Sequence, residues 1–414
     1  STVRRFWPVS IAPPARDYVL QNVTGGTVDG VKLAVNMPID LIGQKQVPLP
    51  EDAVRMELSG SGFQILALKG LPPIRDARLV VSVTGRSVRA DMPEAVVVTP
   101  QNRKLSMSEG TFFMGDYFPR EPTAQIQVKI NGPADAGVEL LGMEALKGPT
   151  GTAYDPSTTR GKLSALVQIH IHFRQVQNPS DTTYSVEATL SDFGVDAIFG
   201  DHRLEGATVA AFATPAGILL RGDGKIAGAP MSFEYEKKKD VADSNVKVNA
   251  TLDDAARAKL GVNLPAVIGP VMVKLTGTTD NVITRANIEL DLTAARIVDL
   301  VPGLTKPPGK PLKARFASTD AGKTVRINDL TLEGSGTLVR GWIEIADNGD
   351  ILGANFPTFQ LGDGDKASLA ANRSGDVLKV RISGEVIDAR GIMKSLVGTG
   401  NTPAPKNSPK ARNQ

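Results

Sequence analysis

Cysteine is absent from the 414-residue chain, which excludes a disulfide scaffold, a Cys-ligated zinc site, an iron–sulfur cluster and a thiol nucleophile. With only three histidines, any serine triad or histidine metal site would have to draw on His170, His172 and His202. Charge of either sign is in no excess: 47 Lys and Arg face 44 Asp and Glu, without the basic stripe that neutralises a nucleic-acid backbone. Long apolar runs are missing too. The longest stretch free of charge, Gly206 to Leu220, holds Thr214, Pro215 and Gly217 and falls short of the roughly 20 apolar residues of a spanning helix. Ser1 to Arg5 has no apolar core behind its charges, so no signal peptide is expected.

What the chain does have is period-two alternation from one end to the other. Val31, Leu33, Val35 and Met37 alternate with polar residues, as do Val54, Met56 and Leu58, then Leu79, Val81 and Val83, then Ile126, Val128 and Ile130. The pattern continues through Val167, Ile169 and Ile171, through Val186, Ala188 and Leu190, and through Met231, Phe233 and Tyr235. Val271, Val273 and Leu275, then Ile288, Leu290 and Leu292, then Leu312, Ala314 and Phe316, then Leu378, Val380 and Ile382 complete it. Alternation at 180° per residue describes strands with one apolar and one wet face. Turn chemistry separates most of them, as in Gly60-Ser61-Gly62, Asn131-Gly132-Pro133 and Gly222-Asp223-Gly224. The fold expected is mainly β: an elongated, repeating antiparallel sheet curled into an apolar groove, with a few short helices. An α/β nucleotide-binding enzyme is disfavoured.

Helices are expected after Pro13-Pro14 as far as Gly25, over Asp253 to Leu260, over Thr293 to Val301 and over Asp388 to Val397. Composition shifts divide the chain into an N-terminal helix plus β-groove segment (1–148), a linker loop (149–161), a central β-groove segment with a short helix (162–301), a Pro-rich connector (302–311), a C-terminal β-groove segment (312–398) and a disordered tail (399–414).

No catalytic constellation emerges. His170 and His172 stand two apart on a strand and share the face opposite Ile169 and Ile171, a partial metal set at most. There is no G-x-S-x-G elbow, and Gly222 to Gly228 has neither dinucleotide nor Walker spacing. Asp253-Asp254 suits a helix cap and Asp363-Gly364-Asp365 a turn. Lys237-Lys238-Lys239 reads as a solvated hairpin tip, or as a contact for anionic lipid or a partner. No enzyme activity, metal or cofactor is implied.

A continuous apolar strand face must be buried on something: on a second sheet, inside a closed barrel, or against an apolar ligand lying in an open half-pipe. The candidate lining residues are the alternating Val31, Leu33, Val35, Val54, Met56, Leu58, Leu79, Val81, Val83, Ile126, Val128, Ile130, Val167, Ile169, Ile171, Met231, Phe233, Val271, Val273, Leu275, Ile288, Leu290, Leu378, Val380 and Ile382. Aspartate at Val81, Val128 or Val273 is expected to block passage of an apolar ligand.

Certain motifs resemble a known family. Phe6-Trp7-Pro8, followed by Ala12-Pro13-Pro14-Ala15-Arg16-Asp17-Tyr18-Val19 and Gly25-Gly26-Thr27-Val28, is similar to the opening of the central region of AsmA-like proteins of the YhdP type. So are Ile74-Arg75-Asp76-Ala77 with Thr84-Gly85-Arg86-Ser87, Ala255 to Gly261 with Gly269-Pro270-Val271, and Ser383 to Arg390. The resemblance implies a bridge-like lipid-transfer protein at the periplasmic face of the inner membrane of a Gram-negative envelope. Such a protein carries phospholipid toward the outer membrane without chemistry, and its membrane anchor is an N-terminal helix missing from this sequence, which is therefore expected to be a soluble excerpt. The alternative expectation is a structural or adaptor β-protein of the envelope, with a closed core and protein partners.

Overall fold

In the computed structural model the described residues are 13–41, 47–146, 155–174, 178, 181–199, 202–262, 264–280, 282–300, 303–320, 324–346, 350–375 and 377–386. They are mainly β: twenty strands form one antiparallel sheet that does not close into a barrel, and three short strands form another. Two compact units divide the chain, Ser1–Ile226 with Ser232–Asn245, and Ala227–Met231 with Val246–Gln414. Phe6-Trp7-Pro8, the helix expected over 388–397 and the tail 399–414 lie outside the described residues.

The first unit opens with the helix Pro13–Asn22, followed by β1 (Val23–Val35), β2 (Val54–Ile65), β3 (Ile74–Thr84), β4 (Val88–Val98), β5 (Lys104–Met114) and β6 (Thr123–Pro133). The helix Ala134–Leu141, unforeseen from the sequence, precedes β7 (Thr159–His172), β8 (Thr182–Phe199), β9 (His202–Thr214) and β10 (Gly217–Ile226). Each ladder from β1 to β10 joins strands consecutive in sequence, a pure meander. The β3–β4 turn shows why its residues suit it: Thr84 Oγ1 accepts from the amides of Arg86 (3.2 Å) and Ser87 (2.8 Å). Gly85 follows because a Cβ there would meet the Pro50 carbonyl oxygen at 1.9 Å.

Bulges interrupt three of these strands at residues in the left-handed region, Asp76 (φ 53°), Glu109 (φ 50°) and Asp192 (φ 49°), where two or more residues face fewer on the partner. Each inserted residue reverses the parity of the alternation after it. On β5, Met107 and Phe112 are an odd number of positions apart, yet their partners on β6, Ile130 and Ile126, are an even number apart, so both project from one face.

The second unit continues after β11 (Ala229–Lys238) and β12 (Ser244–Leu252) with the helix Asp254–Lys259, capped by the Asp253 carboxylate on the Ala256 amide at 2.8 Å. Then come β13 (Val267–Ile268), β14 (Val271–Asp280), β15 (Val282–Asp291), β16 (Arg296–Val298), β17 (Thr305–Lys306), β18 (Lys313–Asp320), β19 (Thr324–Gly334), β20 (Thr337–Ala346), β21 (Ile351–Gln360), β22 (Lys366–Ser374) and β23 (Val377–Val386). Strands β14, β15 and β18 to β23 pair in that order. β19 carries a bulge of the same kind at Asp329 (φ 52°).

The helix expected from Thr293 does not form. Asp291 accepts from the Thr293 amide at 2.9 Å, a tight turn follows, and β16 pairs Ile297 with both Val267 and Lys306. Ala295 and Ile297 are fully buried there, so tertiary burial outweighs the weak local helix signal. Two buried cations hold this small sheet through backbone carbonyls. Lys306 Nζ donates to Thr293 (3.1 Å), Ala295 (2.8 Å) and Pro307 (3.0 Å), and Arg257 donates to Leu252 (2.9 Å), Val267 (2.7 Å) and Gly269 (2.7 Å) and pairs with Asp254. Burial pushes the Lys306 ammonium below the usual lysine range.

Candidate apolar binding face

Residues directly opposite one another in an antiparallel ladder project from the same face. Following those partners from β1 to β8 gives one file: Val31, Leu58, Val81, Ala90, Phe112, Ile126, Ile169 and Tyr184. Every member is half-buried, neither sealed in a core nor laid bare. The file crosses the strands at about 4.8 Å each and so runs about 34 Å. A parallel file, Val128, Val167, Val186, Ala213 and Ile218, continues the face onto β10. Neither file contains a charged side chain. Tyr184 alone brings a hydrogen-bonding group, and burial raises its phenol above the usual range.

Two buried clusters flank the central file on the same face, one toward each set of strand ends. One gathers Val54, Met56, Val83, Val88, Met114 and Ala124, with Val19 of the first helix and Tyr117 packed on it. The other gathers Phe63, Ala77, Ala95, Val97, Leu105, Met107 and Val128, covered by Ala136 and Leu140 of the helix Ala134–Leu141. The face is thus closed along both borders and open between them. The reverse face is mostly polar, with Val80, Phe113 and Phe212 exposed among cross-strand ion pairs such as Lys32–Glu57 (3.6 Å) and Lys129–Glu109 (2.7 Å). Those exposed pairs are worth little individually, but they mark the solvent side.

Polar networks fasten both borders. At the first, Tyr117 Oη donates toward the carbonyls of Thr84 (3.0 Å) and Gly85 (2.7 Å), while Arg86 pairs with Asp116 and Ser87 Oγ donates to Glu51 at 2.9 Å. Burial, reinforced by Glu51 and Asp116 and opposed by Arg86, pushes the Tyr117 phenol up to about 12. At the second, the buried Glu139 accepts from Thr99 Oγ1 (2.6 Å), the Gln101 amide (2.9 Å) and Arg103 (2.7 Å), and Arg103 also donates to Asp135 at 2.7 Å. Burial disfavours the Glu139 carboxylate, yet these hydrogen bonds hold it below the usual range.

Of the lining residues expected from the sequence, Val54, Met56, Val83, Val128, Met231 and Val271 are buried. Val31, Leu58, Leu79, Val81, Ile126, Ile130, Val167, Ile169, Ile171, Phe233, Val273, Leu275, Ile288 and Leu290 are half-buried. Leu33, Val35, Leu378, Val380 and Ile382 are exposed, on β1 and β23. In the second unit the file Val273, Leu290, Ala314, Leu332, Val339 and Phe359 is mostly sealed in its own core, with Val267 and Ile297 of the small sheet and Leu304 just before its last strand. Ala90, Phe112, Tyr184 and Val186 belong to the first unit's face but escape the sequence reading as lining residues. The parity change at Glu109 hides Phe112; Ala90 and Tyr184 lie outside clear aliphatic runs. His170 and His172 are exposed opposite Gln125 and Thr123, and among the described residues no group of three metal-binding side chains occurs.

No protein-family model matches the chain, no curated protein resembles it, and no solved structure matches it. Fold and face together define an open-sheet β-protein with one charge-free apolar face.

Proposed function

We propose that the chain holds the acyl chains of phospholipid along the apolar face of its first unit and conducts them without chemistry, within the periplasm of a Gram-negative envelope. The observation that carries this reading is the half-buried, charge-free file from Val31 to Tyr184. A closed structural core would bury those side chains fully, whereas an acyl ligand needs non-directional apolar contact along a continuous line. A chain of about 16 methylenes in water carries a penalty of about 13 kcal/mol, at about 0.8 kcal/mol per methylene, which such a face largely removes. One bilayer leaflet is about 15 Å of hydrocarbon, so a file of about 34 Å accommodates a lipid tail at full length. Placement in the envelope, with membranes as donor and acceptor, is supported by the likeness to AsmA-like motifs at Ile74–Ala77, Ala255–Gly261 and Ser383–Arg390.

The test is organic extraction of protein purified without detergent, followed by mass spectrometry, beside a control protein of similar size. We expect at least one phospholipid per chain, and its loss in Val81→Asp with the circular-dichroism spectrum unchanged. A lipid-free extract from folded protein would refute the reading and favour the adaptor role, in which a protein partner covers the face.

A further inference from the structure

We infer that the helix Ala134–Leu141 is a lid on the apolar face, fastened by Arg103 and able to open while the strands beneath it stay paired. Its use as a gate for acyl chains rests on the function proposed above; its motion does not. β6 and β7 pair without interruption from Thr123 opposite His172 to Pro133 opposite Lys162. A hairpin loop of about two to five residues closes such a junction. The helix Ala134–Leu141 instead follows β6 at that point and lies back across the face, so strand pairing does not require it.

The helix has a small apolar footing. Ala134, Ala136, Gly137 and Leu140 face inward, and only one of these is a large side chain. Its polar fastening comes from one place, the β4–β5 connection. Arg103 donates to both Asp135 and Glu139 at 2.7 Å, and Thr99 and the Gln101 amide complete the Glu139 carboxylate. A segment with few apolar contacts and one polar fastening is the kind that opens below the global unfolding transition. Opening would uncover Leu105, Ile130 and Leu163, the continuation of the face toward that border, and admit a tail from the side.

Native-state hydrogen exchange on the full chain tests the motion. We expect amides of 134–141 to exchange at least 10-fold faster than those of β6 and β7, and Arg103→Gln to raise the helix rates about 10-fold more while leaving both strands unchanged. Equal protection of helix and strands, or an Arg103→Gln effect on all three together, would overturn the lid.

Because the chain has no cysteine, a lock can be built cleanly with Gly137→Cys and Leu163→Cys. A Cβ at position 137 would stand 2.7 Å from Leu163 Cδ2, so the two sites adjoin. The probe is a fluorescent-acyl phosphatidylcholine in phosphatidylcholine–phosphatidylglycerol vesicles. Uptake at least 10-fold slower in the oxidised than in the reduced variant supports the gate, and equal uptake in the two states overturns it. No uptake by the unmodified chain would instead overturn the lipid-binding reading and leave the exchange result standing on its own.

Discussion

Burying a phenol beside two carboxylates has a consequence that pH can reveal. Tyr117 titrates near 12 in the folded chain, against about 10 in an unfolded one, so between those values the folded state binds more protons. Its contribution to stability is therefore fully present below pH 10 and is lost as pH rises through 12. We expect urea unfolding of Tyr117→Phe to show a shallower decline over that interval than the unmodified chain; parallel curves would mean that Tyr117 does not carry the effect. Lys306 has the opposite pH sign. Its folded value is depressed, so stability rises with pH through the window between that value and the ordinary lysine value of 10.5. Removing its three carbonyl contacts still leaves buried oxygens without a donor, and Lys306→Met is expected to cost about 1–3 kcal/mol by denaturant unfolding at neutral pH.

Strands and their irregularities govern which side chains share the apolar face. Inserting one residue beside Glu109 adds a position to β5 and would turn Phe112 and the buried Met114 outward while bringing the exposed Phe113 in, so we expect a loss of about 3 kcal/mol or more. Glu109→Gly keeps the bulge, relieves a left-handed residue and forfeits only an exposed ion pair with Lys129, so its cost should stay within about 1 kcal/mol. Paired denaturation curves of the two variants check this. The same bulges explain what could be read from the sequence. Val31, Leu58, Val81, Ile126 and Ile169 stand in unbroken alternation, so strands and face were both legible there. Phe112 was not, because the backbone conformation of Glu109 leaves no mark in a pattern of residue types. Thr293 to Val301 misled for another reason: Asp291 and Thr293 form a turn that mimics a helix start, and only contact with Val267 and Lys306 makes Ile297 a strand residue. The helix Ala134–Leu141 was hidden by its Pro133 junction and by its small inward residues.

For the whole molecule, the direction of the file matters more than its composition. Strands follow one another along both units, so the ladders are local and the sheet can assemble hairpin by hairpin without distant pairings. The apolar line runs perpendicular to those strands. Strand length therefore sets the width of the apolar face in the first unit and strand number its reach, at about 4.8 Å a strand. A duplicated hairpin would lengthen the face by about 9.6 Å and leave its cross-section untouched, so the first unit's sheet is in effect a ruler graded in strands, free to be recut to a new span by tandem duplication alone.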